Sequence, residues 1–325
     1  MHRPSNAARL SPPAAKRFTV VYRAPAVYTC PRLRRCSPPT MLTDLVRLAL
    51  GRNRYVRTGF GIPTLVSAAT LAILSGMPAA GQAPAYHAPR TADGKPNLNG
   101  IWQALNEANW DIEAHSAAPG RVLPLGAEDA VVPGLGIVEG GPLPYLPAAA
   151  AKKKDNFEKR LTDDPEIKCY LPGVPRAMYM PQPFQIVQSA KHIMMAFQYA
   201  GAIRTVYMDE HTEAPADSWM GWSNGHWEGE TLVVDTTGFN DLSWLDRAGN
   251  FHSDALHVVE RITPASPDHL NYEATIEDKK VFSRPWKMSL PIYRRREKGA
   301  RLLEFRCVEF VEDLIYGHLR KPKTP

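Results

Sequence analysis

The densest run of side chains able to carry chemistry lies between residues 235 and 261. It holds the histidines His252 and His257 and the carboxylates Asp241 and Glu260. An imidazole titrates near neutral pH, and a neighbouring carboxylate orients it, so these four residues are candidates for general acid–base catalysis. The spacing also fits another interpretation, in which Asp241 caps a turn, the histidines make ordinary hydrogen bonds and Glu260 pairs with a basic residue across a sheet.

Strand geometry limits how these candidates can meet. If residues 252–262 are extended, side chains alternate between two faces, so His252 and Glu260 share one face with Val258 while His257 lies on the other. The two histidines therefore cannot reach one centre unless the strand begins after His252 or carries a bulge.

Tryptophan is the second chemical signal, because several indoles fall around predicted turns. Such residues often line apolar ligand pockets or carbohydrate platforms. They can equally plug the ends of a barrel. The candidate ligand-binding tryptophans are Trp102, Trp219, Trp222 and Trp244.

Metal and cofactor signatures are not found in the sequence. The pattern His226-x-Glu228-x-Glu230 is not a recognised metal spacing, and its two carboxylates straddle a predicted turn. Ser253 lacks the Gly-x-Ser-x-Gly context of a nucleophile elbow, and the segment Gly134-Leu135-Gly136 lacks the surroundings of a phosphate-binding loop. We therefore predict no metal, nucleotide, haem or flavin.

The charge of the chain changes sign along its length. Of the 39 basic and 33 acidic residues, residues 1–83 hold 12 basic and one acidic, so residues 84–325 hold 27 and 32 and carry a net charge near −5. The overall charge of +6 thus comes from the first segment. An acidic remainder gives no electrostatic reason to expect a nucleic-acid partner.

Residues 1–83 are predicted to be an export leader. Within it, residues 1–40 are Pro- and Arg-rich and fit a mis-assigned start, while residues 41–83 form a signal peptide with possible cleavage after Gly81 or Ala83. Its apolar core, residues 62–74, is shorter than the ~20 residues that span a bilayer, so no permanent membrane anchor is expected. These features predict a periplasmic or secreted protein.

Export affects the interpretation of the cysteines. Cys30 and Cys36 belong to the leader, which leaves Cys169 and Cys307 as the only pair in residues 84–325. An even pair in an oxidising compartment favours a disulfide, although two separate buried thiols would also fit.

The remaining elements predict a single mainly β domain over residues 84–325. Residues 106–183 are mostly an irregular arm with one helix over residues 148–161, and a short helix closes the chain near residues 311–319. Hairpins dominate after residue 184, and no long helix separates strands, so we predict an antiparallel meander curled into a barrel or sandwich. The predicted strands cover residues 100–105, 184–189, 192–199, 202–208, 224–228, 231–237, 255–263, 269–277, 286–292 and 301–310.

Four segments of the chain resemble a large family of exported bacterial proteins that has no assigned activity. The resemblance extends over most of residues 84–325 and implies export and one domain, but no reaction. The segments are Asp93–Trp102 (DGKPNLNGIW), Cys169–Arg176 (CYLPGVPR), Trp227–Asp241 (WEGETLVVDTTGFND) and His252–Arg261 (HSDALHVVER).

A shorter pattern resembles lipocalin-like barrels. Their first strand opens with Gly-x-Trp, and their last strand carries an arginine that packs over the tryptophan. Gly100-Ile101-Trp102 fits the first part, and Arg306, in the last predicted strand, is the candidate for the second.

Three functions remain open at this stage. The leading one is binding of a small apolar or carbohydrate-like ligand in a Trp-lined cavity of an exported barrel. The second is a hydrolase or lyase that uses a His–carboxylate acid–base pair. The third is a cell-envelope structural protein without a ligand. The sequence carries no indication of the oligomeric state.

Overall fold

The computed structural model describes residues 86–120, 130–209 and 211–320. All of them belong to one compact unit, residues 80–325. The predicted leader, residues 1–83, lies outside the described residues. The strands are β1 (Gly100–Ala104), β2 (Phe184–Gln188), β3 (His192–Phe197), β4 (Ile203–Tyr207), β5 (Trp222–Glu228), β6 (Thr231–Thr237), β7 (His257–Ser266), β8 (His269–Glu277) and β9 (Trp286–Arg294).

The strands form a closed barrel in sequence order. The barrel closes where β1 pairs with β9, with Trp102 opposite Arg294. The predicted mainly β fold is confirmed, and the barrel alternative is the correct one. One pairing differs from the predicted meander, because β4 and β5 run parallel over Val206–Ser223 and Tyr207–Asn224. Within the described residues 208–209 and 211–221, no crossover helix lies between β4 and β5.

Side chains along the strands alternate between buried positions inside the barrel and positions on its outer face. In β7, Val258, Glu260 and Ile262 are fully buried, whereas His257 and Arg261 are not. The predicted division of faces is thus confirmed for the part of this segment that is a strand. Removal of the inward apolar side chains from water is the main stabilising term of such a barrel.

The β5–β6 hairpin shows how local sequence sets the register. Glu228 pairs with Thr231 across a two-residue turn, Gly229-Glu230. Gly229 has φ +60°, a conformation that glycine adopts without steric strain because it lacks Cβ.

Different segments cover the two ends of the barrel. Residues 86–99 cover the end at which β1 begins, which we call the lead-in end, and Leu98 N there donates to Gln188 Oε1 at 3.0 Å. The opposite end, which we call the helix end, is covered by residues 145–183 and by the β6–β7 connection, residues 238–256. There, Tyr179 Oη donates to Leu245 O at 2.8 Å.

The predicted arm and helix are both present at the helix end. Residues 137–139 run along the part of β9 that β1 leaves unpaired, and Ser289 N donates to Ile137 O at 3.0 Å. Helix α1 (Pro147–Asp163) then begins with proline in its first turn and ends before Pro165. Among the described residues, no helix has the length and apolar character needed to cross a membrane.

The end of the chain differs from its predicted course. Residues 301–310 form no strand, because β1 already occupies the free edge of β9 and leaves them no partner. The predicted helix near residues 311–319 is present as α2 (Val311–Tyr316) and a 3-10 turn (Gly317–Leu319). The predicted disulfide is formed: Cys169 and Cys307 are bonded with their Cα atoms 5.7 Å apart.

Candidate functional site

The four predicted acid–base residues do not converge. Glu260 lies inside the barrel, and Asp241 is exposed after β6. His257 is on the outer face, where its Nε2 lies 2.9 Å from Asp235 Oδ2. His252 is buried under the β6–β7 connection. Since the four groups point into different environments, they cannot act together on one substrate.

Glu260 belongs to a closed polar network inside the barrel. It accepts from both terminal nitrogens of the buried Arg204 and from Tyr272 Oη at 2.9 Å. Arg204 also donates to Ser223 Oγ and Thr236 Oγ1, each at 2.8 Å. A buried charge of this kind is tolerated only when it is fully paired, and here every partner comes from the barrel itself. The predicted basic partner of Glu260 is therefore present, but Arg204 reaches it through the barrel interior from β4 and not from a neighbouring strand of the sheet.

His252 forms a buried pair with a serine. Its Nδ1 lies 2.8 Å from the Ser253 carbonyl oxygen, which can only accept, so Nδ1 carries the proton. Nε2 is then free to accept from Ser243 Oγ at 2.7 Å. Burial lowers the pKa of His252, which favours this neutral form.

The candidate tryptophans also lie apart. Trp102 is buried at the lead-in end, and Trp244 is buried at the helix end. Trp222 stacks on Tyr207 with ring centroids 4.4 Å apart. Trp219 packs against Tyr170 at 5.2 Å. The predicted single cavity lined by these four indoles is therefore not formed.

The arginine over Trp102 is Arg294. Its guanidinium carbon lies 4.1 Å from the centre of the Trp102 ring. Arg306 is 84% exposed and pairs with Glu304, so its predicted position was wrong. The error follows from the last strand, which ends at Arg294 rather than continuing through residues 301–310.

The helix end contains a second buried ionic network, centred on Glu166. Arg247 binds both Glu166 oxygens, through Nε at 2.8 Å and Nη2 at 2.9 Å. Arg176 donates to Glu166 Oε2 at 2.6 Å and to Asp164 Oδ1 at 3.2 Å. Asn109 Oδ1 accepts from Arg176 Nε at 2.9 Å. Two arginines and two carboxylates thus neutralise each other below the surface.

Nearby charges determine the pKa values of the buried carboxylates at the helix end. Burial disfavours the ionised form of Glu166, but Arg247 and Arg176 outweigh burial and lower the pKa to about 2. Asp246 differs because burial and the nearby Asp111 raise its pKa to about 7. Within the described chain no arginine bonds the Asp246 carboxylate, which accepts from Ile112 N and from the two nitrogens of Asn250. Neighbouring carboxylates therefore differ strongly in acidity.

A cleft of about 220 Å³ opens beside this network. The Arg247 guanidinium lies 4.5 Å above the Trp110 ring, and both side chains line the cleft. Asp164, Arg247 and Glu312 at the cleft are paired within the protein, and most of the remaining surface of the cleft is carbon. We call it the helix-end cleft; its apolar lining is Trp110, Ala118, Val131, Phe157, Leu161, Ile167 and Ala248.

The sequence-based interpretation missed this cleft. Its residues come from the arm, from α1, from the β6–β7 connection and from α2, so no single window of sequence displays them together. Arg176 and Arg247 were the available signals, because each is a lone basic residue in a segment rich in proline or apolar residues. Buried arginines require acidic partners, and Asp164 and Glu166 stand close to Arg176 in sequence.

Comparison with known proteins adds no family to this description. No protein-family model matches the chain, and no curated protein matches it. Within the described ranges, no group of three or more His, Cys, Asp or Glu residues is arranged to hold a metal ion.

Proposed function

We propose that this barrel domain binds a small, mainly apolar ligand in the helix-end cleft. The observation that carries the proposal is a concave surface made of carbon, next to ionic groups that already satisfy one another. Ligand pockets typically combine an apolar lining with a few polar groups. This proposal keeps the ligand class expected from the sequence and moves the site from the four candidate tryptophans to Trp110.

The ionic network gives the cleft a rigid base. Arg247 is held by two hydrogen bonds to Glu166 and by a contact with Glu312, so it cannot swing away from Trp110 without breaking them. A site whose side chains are fixed before binding loses less conformational entropy when a ligand enters. The paired charges also leave the guanidinium little free energy to gain from an anionic ligand, which favours neutral compounds.

Export remains part of the proposal. The basic segment with an apolar core and small residues before position 84 supports it, as does the disulfide between Cys169 and Cys307. We propose that the domain meets its ligand in the periplasm or outside the cell.

Nile red, a neutral apolar dye, tests the binding proposal. We expect saturable binding with a blue-shifted emission for the unaltered protein. Ala248→Phe should fill the cleft and weaken binding at least tenfold. Ala118→Trp should do the same from the exposed rim, where a larger side chain presents less risk to folding.

Ala255→Phe is the matched control, because Ala255 is exposed and lies outside the cleft. It should bind the dye like the unaltered protein. If both cleft variants retain full affinity, the dye binds elsewhere and the proposal fails. An absence of saturable binding would favour the structural cell-envelope alternative.

A second candidate, hydrolysis, is supported by the Ser243–His252 pair. A serine that donates to an imidazole with its other nitrogen fixed is the arrangement that activates a nucleophile. Ser243 is only 2% exposed, so the reaction would require the β6–β7 connection to open. Labelling by a fluorophosphonate that disappears in Ser243→Ala would support this candidate, and the absence of labelling would contradict it.

A further inference from the structure

The lead-in end contains a second cleft with a different chemistry. It has a volume of about 180 Å³ and lies between the lead-in residues and the β7–β8 hairpin. Trp102, Pro264 and Leu270 supply its apolar surface. Arg294 and Asn97 supply polar groups. The site is separate from the helix-end cleft and shares no lining residue with it.

Arg294 is fixed in this cleft without an acidic partner. Its Nε donates to Pro267 O and its Nη1 to Asn99 O, both at 2.8 Å. These acceptors are neutral carbonyl groups. Within the described chain, no carboxylate forms a salt bridge with Arg294, and the nearby Asp268 pairs with Arg296 at 3.2 Å.

The guanidinium is also held in a defined orientation. It stacks on Trp102, whose Nε1 donates to Leu98 O at 2.9 Å and thereby fixes the ring. Burial lowers the pKa of Arg294, and the negative charge of the nearby Asp268 opposes this shift only in part. The remaining nitrogen, Nη2, has no hydrogen-bond acceptor among the described residues.

Asn97 provides a second donor in the same cleft. Its Oδ1 accepts from Asn99 N at 3.0 Å and from Asn99 Nδ2 at 2.8 Å, which orients the amide. Its Nδ2 has no acceptor among the described residues. A fixed cation and an unused amide donor on a partly apolar wall are complementary to an oxyanion attached to a carbon body.

We propose that the lead-in cleft is a binding site for a small organic carboxylate. The carboxylate would accept from Arg294 Nη2 and Asn97 Nδ2, and its carbon body would contact Trp102 and Leu270. A carboxylate fits better than a dianionic phosphate because the cleft offers a single positive charge. The site does not depend on the ligand proposed for the helix end.

Calorimetric titration with benzoate and with its neutral analogue benzamide tests the assignment. The unaltered protein should bind benzoate at least tenfold more tightly than benzamide, and added salt should weaken the benzoate complex. Equal affinity for both compounds, or no benzoate binding, would overturn the proposal.

Asn97→Asp is the decisive variant. It keeps the acceptor for Asn99 and replaces the unused donor with a negative charge, so benzoate affinity should fall at least tenfold. Its melting temperature should stay the same or rise, because the new carboxylate faces Arg294; this separates lost binding from lost folding. Arg294→Gln is less informative because it also removes the stacking on Trp102.

Asn240→Asp is the matched control. Asn240 lies after β6 and lines neither cleft, and its Oδ1 accepts from Leu242 N, an interaction that Asp can keep. This variant adds the same charge elsewhere and should bind benzoate within twofold of the unaltered protein. Loss of binding in both variants would indicate a general charge effect and contradict a localised site.

Discussion

The two ends of the barrel differ in the partners that they provide for buried or partly buried arginines. At the helix end, Arg176 and Arg247 share Glu166, and Arg176 also reaches Asp164. At the lead-in end, Arg294 is held in place by two backbone carbonyls and an indole ring, and its Nη2 has no acceptor among the described residues. The arginines of the helix end are therefore neutralised by carboxylates, whereas Arg294 forms no salt bridge within the described chain.

This difference explains why the two clefts are expected to select different ligands. A neutralised guanidinium acts as a flat, partly apolar surface, so shape and apolar area dominate recognition at the helix end. An unneutralised one favours an anion, so charge dominates at the lead-in end. The same residue type thus yields two specificities, determined by the number of carboxylates within reach.

The largest expected effect comes from removing the shared carboxylate of the helix end. Glu166→Gln should leave Arg247 without a buried anion and lower the unfolding free energy by about 3–5 kcal/mol. Urea unfolding followed by circular dichroism measures it. Glu228→Gln, which removes half of an exposed pair with Arg261, is the control and should leave the midpoint unchanged. A small loss for Glu166→Gln would mean that the network is not electrostatically complete.

Loss of the disulfide should have the next largest effect. Replacing Cys169 and Cys307 with alanine opens a loop between residues 138 positions apart and should cost about 2–4 kcal/mol. The loss of stability should be local to the helix end, because the bond lies there and not at the lead-in end. Hydrogen exchange should accelerate in residues 164–183 and 301–319 and stay unchanged in residues 86–99. An unchanged melting temperature would count against both the bond and the oxidising compartment.

Arg294→Gln should cost less than Glu166→Gln. It removes two hydrogen bonds and the stacking on Trp102 but leaves no buried carboxylate unpaired, so we expect a loss of about 1–3 kcal/mol. Thermal unfolding of both variants under the same conditions makes the comparison. If the unfolding free energy fell as much as in Glu166→Gln, Arg294 would have an acidic partner. The two ends would then not differ in how their arginines are paired.

The smallest effect is a dependence on pH. Because the pKa of Asp246 in the folded protein, about 7, lies above the ordinary aspartate value of 3.8, its contribution to stability declines as pH rises through this range. Between pH 6 and pH 7 the decline should be roughly 1 kcal/mol. His252 has a lowered pKa and acts in the opposite direction, so the measured quantity is the difference between the unaltered protein and Asp246→Asn. Identical pH profiles would contradict the raised pKa.

The sequence was sufficient to predict a mainly β domain curled into a barrel or sandwich, because each strand carries its own signal. Alternation along β7, the glycine turn between β5 and β6 and the density of hairpins are all local. Closure was harder to predict, since the partner of β9 is far away in the chain. That is why residues 301–310 were assigned a strand and Arg306 the place of Arg294.

The candidate sites were less predictable than the fold. His252 and Glu260 stood out by residue type, but their partners could not be found by spacing: Ser243 lies in the same irregular β6–β7 connection as His252, and Arg204 lies on β4, far from Glu260 in sequence. The helix-end cleft depends on the arm, α1, the β6–β7 connection and α2 meeting over the barrel. Such a meeting is determined by tertiary packing, which no periodicity within a single segment encodes.

The pairing of β1 with β9 also has a consequence for how the chain folds. Residues 102 and 294 meet directly, although nearly the whole described chain separates them. Contacts between such distant residues require a large loss of chain entropy before they return any stabilisation, so folding should be slow, on the order of milliseconds to seconds. Until β9 arrives, β1 and β9 each present an unpaired edge, and this interval is when the chain is most exposed to aggregation.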